Sequence, residues 1–148
     1  MCVVSSLTLP AAAAAARDEF RSAMLHELNR VRARHHLPAV RTDGRLNGAA
    51  AGWSGSMVRA GAIGHGAWAS RVIAAAGRGS SVGEVVGWLV QRDPRGEAVS
   101  MVRDWLHSPP HRHVMLSRGF RRVGIGRATG TMQGLSAAVY TVDFASAR

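Results

Sequence analysis

The groups able to do chemistry in this chain are two histidines and a carboxylate, far apart in sequence. His65 lies in Ile63-Gly64-His65-Gly66, where glycines on both sides let the backbone turn an imidazole toward a cleft. Glu84 lies in the apolar stretch Ser81-Val82-Gly83-Glu84-Val85-Val86, and between Glu27 and Asp93 the only other carboxylate is Asp43. A carboxylate in such surroundings requires partners, because an unpaired buried charge is costly. His111 lies in Ser108-Pro109-Pro110-His111-Arg112-His113, where two prolines fix its approach. Two neutral imidazoles facing each other suit zinc or another divalent cation at about 2.0 to 2.1 Å, with water completing the shell. Glu84 would then orient a histidine or the water, and binding would weaken as the histidines protonate near about pH 6. The other reading is a structural network, in which Glu84 pins a loop by accepting backbone N–H bonds and the histidines are hydrogen-bonded to it. The spacing by itself matches no known zinc signature. His26, His35 and His36 fall on or just past the polar side of the first helix and are expected in solvent.

Positioning these groups falls to elements outlined by apolar spacing. Between Asp18 and His36, Phe20, Met24, Leu28 and Val31 recur at helical steps and form one stripe, which Pro38 closes. A second helix starts near Asp43 and carries Leu46, Ala50, Trp53 and Met57 on its inner face until Gly61. Gly48, Gly52 and Gly55 share one side of it, each costing roughly 1 kcal/mol against alanine. They imply either close packing against a neighbour or a poor helix that frays. Trp68 to Ala76 reads as a third helix ended by Gly77, followed by the loop Arg78 to Gly83. Asp93-Pro94 opens a fourth helix, with Val99, Val102 and Trp105 or Leu106 buried, and Pro109 and Pro110 stop it. Beyond Phe120 the period changes to two, with Val123 and Ile125 on one strand and Ala138, Tyr140, Val142 and Phe144 on another. The hairpin turn lies within Thr129 to Gly134. Helices first and an antiparallel hairpin last argue for an α+β layered domain rather than a doubly wound sheet. Gly124, Gly126 and Gly130 have the wrong spacing for a dinucleotide fingerprint, and no helix follows them.

At 148 residues, with 47% apolar and 19% charged, the chain has the size and balance of one folded domain and is not disordered. All 19 basic residues are arginine against nine acidic ones, so the charge of +10 cannot be titrated away. This suits an acidic partner, or else reflects arginine-biased coding combined with selection for solubility. Arg112, Arg118, Arg121, Arg122 and Arg127 are expected to form a solvated rim. With one tyrosine and three phenylalanines, and no interleaving of basic and aromatic residues, specific nucleic-acid recognition is disfavoured. Met1 to Ala16 carries no charge and ends in small residues, as a truncated signal peptide would, leaving 17–148 as the domain. The alternative is an alanine-rich extension of the first helix, against which Pro10 and the serines argue. No segment approaches eighteen consecutive apolar residues, so no membrane span is expected. Cys2, the only cysteine, would leave with the leader, which excludes disulfides and a cysteine nucleophile from the mature domain.

Six pieces stand in a recognisable order: Leu28-Asn29-Arg30-Val31-Arg32-Ala33, Leu46 with Ala49-Ala50, Gly64-His65, Gly83-Glu84, Trp105 through Arg112, and Val123-Gly124-Ile125-Gly126. From about Glu19 to Phe144 the chain resembles the CAP superfamily, which groups cysteine-rich secretory proteins, antigen 5 and plant pathogenesis-related proteins, and it looks like the compact bacterial branch. The resemblance implies a three-layer α-β-α sandwich with a small antiparallel sheet between helices. It also implies a cleft lined by two histidines and one or two glutamates, positions on which His65, Glu84 and His111 fall. Where many eukaryotic members carry a second glutamate, this chain has Ser108, and the asparagine that usually follows the first glutamate is replaced by Val85.

The expected function is that of an exported binding module, secreted or associated with the cell envelope, rather than an enzyme. Its cleft, formed by His65, Glu84, Ser108 and His111, would take a lipid or another small apolar ligand, with a divalent cation such as zinc on His65 and His111. The glycine-lined second helix and the tryptophans at 53, 68, 88 and 105 add to that expectation. One alternative is a metal-dependent hydrolase with Glu84 as general base. Another is an adhesin for acidic envelope polymers, whose binding would fall steeply with salt.

Overall fold

The computed structural model describes the chain from Thr8 onward, with side chains from Ala11. Five helices and four strands follow in the order α1 (Thr8–Arg34), β1 (Arg41–Thr42), α2 (Gly44–Ala60), α3 (Trp68–Ala76), β2 (Val82–Val90), α4 (Pro94–Leu106), α5 (Pro109–Met115), β3 (Phe120–Met132) and β4 (Leu135–Ser146). The sheet order is β1-β3-β4-β2, with β2 and β3 antiparallel to the central β4 and the two-residue β1 parallel to β3. A sheet this small gains its stability from helices on both faces, and the outcome is an α-β-α sandwich.

On one face, Phe20, Met24, Leu28 and Val31 of α1 and Ala98, Met101, Val102 and Trp105 of α4 meet Val123, Ile125, Ala138, Tyr140, Val142 and Phe144. The alternation that marks the hairpin is therefore the core-facing set. Phe20 and Tyr140 stack at 4.8 Å between ring centroids. On the other face α2 and α3 cover Val86, Ala137, Val139 and Ala145, so β4 is buried on both sides. The hairpin closes at Gln133 and Gly134, both with positive φ, as a two-residue connection twisted to match the strands.

The helix ends follow local chemistry. Asp43 caps α2 by accepting from the N–H groups of Arg45 and Leu46, and Gly61 ends it in the left-handed region. Asp93 caps α4 with Pro94 at its start, and Gly77 follows α3. The alanine run to Ala16 continues α1, and Pro10 falls in the first turn, where no intrahelical bond needs its nitrogen.

Several expectations are corrected. Val99 is exposed, and Ala98 and Met101 take its place in the core. Helix α4 already ends at Leu106, and Pro109 and Pro110 start α5 rather than only stopping α4. Val82 and Gly83 belong to β2, not to a loop; buried on both faces through most of its first half, this strand reads as a continuous apolar run without alternation.

The close packing attributed to glycines of α2 comes from the strand beneath it. A Cβ added at Gly48 or Gly52 would meet nothing, whereas one at Gly124 or Gly126 would collide with the backbone carbonyls of Leu46 or Ala50, and one at Gly130 with Val58. Glycines on the outer face of β3 thus let α2 lie directly on the sheet.

The expected arginine rim also divides. Arg127 is buried in a two-bond pair with Glu97, at 2.7 and 3.0 Å. Arg122 pairs with Asp43 at 3.0 Å and donates to the carbonyls of Ala76 and Ser146. Arg32 is fully buried, and its guanidinium donates to the carbonyls of Pro38, Met115, Ser117 and Phe120, tying α1 to the end of α5. Asn29 exchanges two bonds with the backbone of Val40.

Candidate functional site

Edge strand β2 is where the two helical layers meet. The loop after α2 brings His65 to its outer side from one layer, and α5 brings His111 from the other. Between them lies a cleft of about 480 Å³, walled by Trp68, Val114 and Phe120 and lined at its polar end by His65, Glu84 and His111. Of the four residues expected in the cleft, the structure brings His65, Glu84 and His111 to its lining. Ser108 stands behind His111 and is not part of the lining. His113, to which the sequence assigns no role, also borders the cleft.

Each imidazole is held by its Nδ1. His65 Nδ1 lies 2.7 Å from Glu84 Oε1, and a carboxylate there accepts the Nδ1 proton and leaves Nε2 with its lone pair. His111 Nδ1 lies 2.8 Å from Ser108 Oγ, a hydroxyl that donates or accepts as the ring requires. Burial, followed by the nearby His65, holds the His111 imidazole below its ordinary value, so the ring is neutral at pH 7.

The His65 loop is fixed by its neighbours. Trp53 Nε1 donates to the carbonyl of Gly64 at 2.9 Å, and Gly66 adopts a φ of 54° with its missing Cβ occupied by the Trp53 ring. The same indole carries the Arg71 guanidinium over its face at 4.5 Å. Arg71, from α3, in turn pairs with Glu84. Trp53, Arg71, Glu84 and His65 thus form a chain of contacts joining α2, α3, β2 and the loop. Glu84 has no exposed side-chain surface, and its two oxygens are engaged by His65 and Arg71.

Behind Glu84 stands Asp143, its register partner on β4. Both Asp143 oxygens are buried with no donor available to them. Two buried carboxyl groups side by side disfavour double ionisation, which favours the protonated form of Asp143, the one that no donor reaches. Burial, then the Glu84 charge, pushes the Asp143 carboxyl up to about 8. Burial likewise raises Glu84, against the opposing effects of Asp143 and Arg71.

Arg71 and Asp143 carry no signal in sequence. The first needs knowledge of which helix faces β2, and the second sits on what the alternation makes the outward side of β4. Among the described residues no group of three or more His, Cys, Asp or Glu converges as a metal site. The hydrogen bonds of His65 and His111 go through Nδ1, and among the described residues none engages Nε2 of either ring.

A family model for the CAP cysteine-rich secretory proteins matches residues 25–144. No curated protein matches the chain. Among solved structures, an outer surface protein from Borrelia burgdorferi superposes with a TM-score of 0.69 at 16% identity, covering 88% of this chain and 94% of that one. An extracellular protein containing an SCP domain from Bacillus anthracis gives 0.63 at 23% identity, covering 81% of this chain and 38% of the other. A cysteine-rich secretory protein from Staphylococcus aureus gives 0.63 at 14% identity, covering 88% and 38%. These likenesses are of fold.

Proposed function

The chain belongs to the CAP cysteine-rich secretory protein family, and from that premise we propose that it is an exported binding module whose β2-edge cleft takes a small ligand with an apolar body and a polar head. The observation that carries this reading is the division of the cleft. Apolar walls from Trp68, Val114 and Phe120 lead to two imidazoles anchored through Nδ1, leaving Nε2 of each for a ligand. The polar head meets these nitrogens directly or across a divalent cation such as zinc. A bound cation would supply a fixed positive site for that head. Export is supported by the charge-free, small-residue start of the chain and by the outer-surface and extracellular relatives.

In this reading Glu84 is a positioning residue, a role supported by its bonds to His65 and Arg71. A general base must reach the proton of a cleft water, and a fully buried carboxylate committed to His65 and Arg71 is not placed to do so. The hydrolase reading therefore lacks an observation in its favour.

Titrating the full chain with a fluorescent fatty acid, with and without zinc, tests the proposal. We expect saturable binding that weakens about tenfold or more in each of His65→Ala and His111→Ala, corresponding to loss of a hydrogen bond or ligand contact of about 1.5 kcal/mol. Binding that is unaffected by both substitutions would place the ligand elsewhere. Failure of sterols, fatty acids and envelope lipids alike to bind would remove the reading.

A further inference from the structure

A second concavity adjoins the cleft on the far side of α5, in the angle between the end of α4 and the segment leading into β3. Its volume is about 610 Å³. Half-buried Leu106 and Leu116 and exposed Pro109 supply its apolar surface, with Ser117 beside them, and Arg112, His113 and Arg118 line it from exposed positions. No carboxylate lines it. The two lining arginines differ from the others of their run. Arg122 and Arg127 are consumed by Asp43 and Glu97, and Arg121 folds back onto the carbonyls of Arg118 and Phe120. No hydrogen bond or ion pair among the described residues engages the side chains of Arg112 or Arg118, and both are exposed. His107, also in the lining, is exposed and has Nδ1 tied to the carbonyl of Arg103 at 2.8 Å.

We infer that this hollow is a separate binding site for an anionic phospholipid, with the phosphate of the headgroup between Arg112 and Arg118 and the glycerol and upper acyl carbons on Leu106, Pro109 and Leu116. Guanidinium groups pair with phosphate oxygens through two parallel N–H bonds, so two unpartnered arginines facing one hollow select a phosphate over a neutral head. Apolar surface beside exposed cations has the polarity of a lipid at the membrane boundary, where head and chain meet. A wholly polar anion would leave that apolar surface uncovered. The inference does not depend on the histidine cleft.

The test is sedimentation of the full chain with vesicles of phosphatidylcholine alone or doped with phosphatidylglycerol. Three proteins are compared: the unmodified chain, Arg112→Gln with Arg118→Gln, and a charge-matched control, Arg59→Gln with Arg95→Gln. The control residues lie at the end of α2 and at the start of α4, away from the hollow. The site predicts binding only to the doped vesicles, reduced about thirtyfold in the Arg112/Arg118 variant and no more than about threefold in the control. Equal losses in the two variants would reduce the effect to net charge and overturn the proposal, as would equal binding to both vesicles. Free glycerol phosphate binding as tightly as the vesicles would overturn the lipid assignment in favour of a soluble phosphate. All four positions are exposed, and unchanged circular dichroism and thermal midpoints would establish that each variant is folded.

Discussion

His65 is held in place by a chain of side chains packed behind it. Glu84 orients the ring, Arg71 holds Glu84, Trp53 holds both Arg71 and the loop, and Asp143 backs the assembly with a carboxyl that favours its protonated form. Asp143 predicts a pH dependence of stability. Its carboxyl lies at about 8 in the folded chain against an ordinary 3.8. The folded state therefore binds more protons than the unfolded one in that interval, and stability is lost as pH rises through it. His111, lowered from 6.5, has the opposite sign, but its contribution is complete once the unfolded chain is deprotonated. Between about pH 7 and 8 the remaining slope falls and belongs to the buried Asp143–Glu84 pair, both of whose carboxyls are raised, at about 1.4 kcal/mol per pH unit for each proton that the folded state retains. Urea unfolding across this interval should show that slope in the unmodified chain and a flatter one in Asp143→Asn. Equal slopes would mean that Asp143 does not retain its proton in the folded chain. The histidines and Glu84 were legible in sequence because a charge or an imidazole between glycines or apolar residues is conspicuous locally. Arg71 and Asp143 were not, because one more arginine among 19, or one polar residue on an alternating strand, is marked only by what it packs against.

Elements were legible where their signals are local. Asp43, Gly61, Asp93 and Gly77 mark helix ends through capping chemistry that needs no tertiary knowledge. Strand β2 was not legible, since burial of both faces erases the period that identifies a strand. The prolines after α4 were ambiguous because the same residue that ends one helix is well suited to begin the next. The glycines show most plainly how a neighbour decides meaning. On α2 they are a propensity cost without a packing reason, and on β3 they are the surface against which α2 rests. Accordingly Gly52→Ala should stabilise the chain by up to about 1 kcal/mol, because its Cβ meets open space. Gly124→Ala should destabilise it by about 3 kcal/mol, because its Cβ collides with the backbone of Leu46. Thermal unfolding of the two variants distinguishes these effects, and equal midpoints would refute the packing of α2 on β3.

The whole molecule places its apolar layers so that the edge strand β2 remains the meeting point of a loop from one layer and a short helix from the other. A site made this way is assembled only when both layers dock on the sheet, which is why residues as distant as His65 and His111 border one cleft. The fold class follows from helices preceding a hairpin, and the family resemblance supplied the order of layers that periodicity could not. The arginine excess divides between internal ties, such as Arg32, Arg122 and Arg127, and exposed groups available to an anionic surface. The central claim is that the two anchored imidazoles and the apolar walls form one ligand site. Proton NMR of the histidine rings during titration with a fatty acid tests it most directly. The account predicts that the Cε1–H resonances of His65 and His111 shift together and saturate at one ligand per chain, while those of His26, His35 and His36 stay in place. Saturation of ligand binding with both cleft resonances unmoved would contradict it.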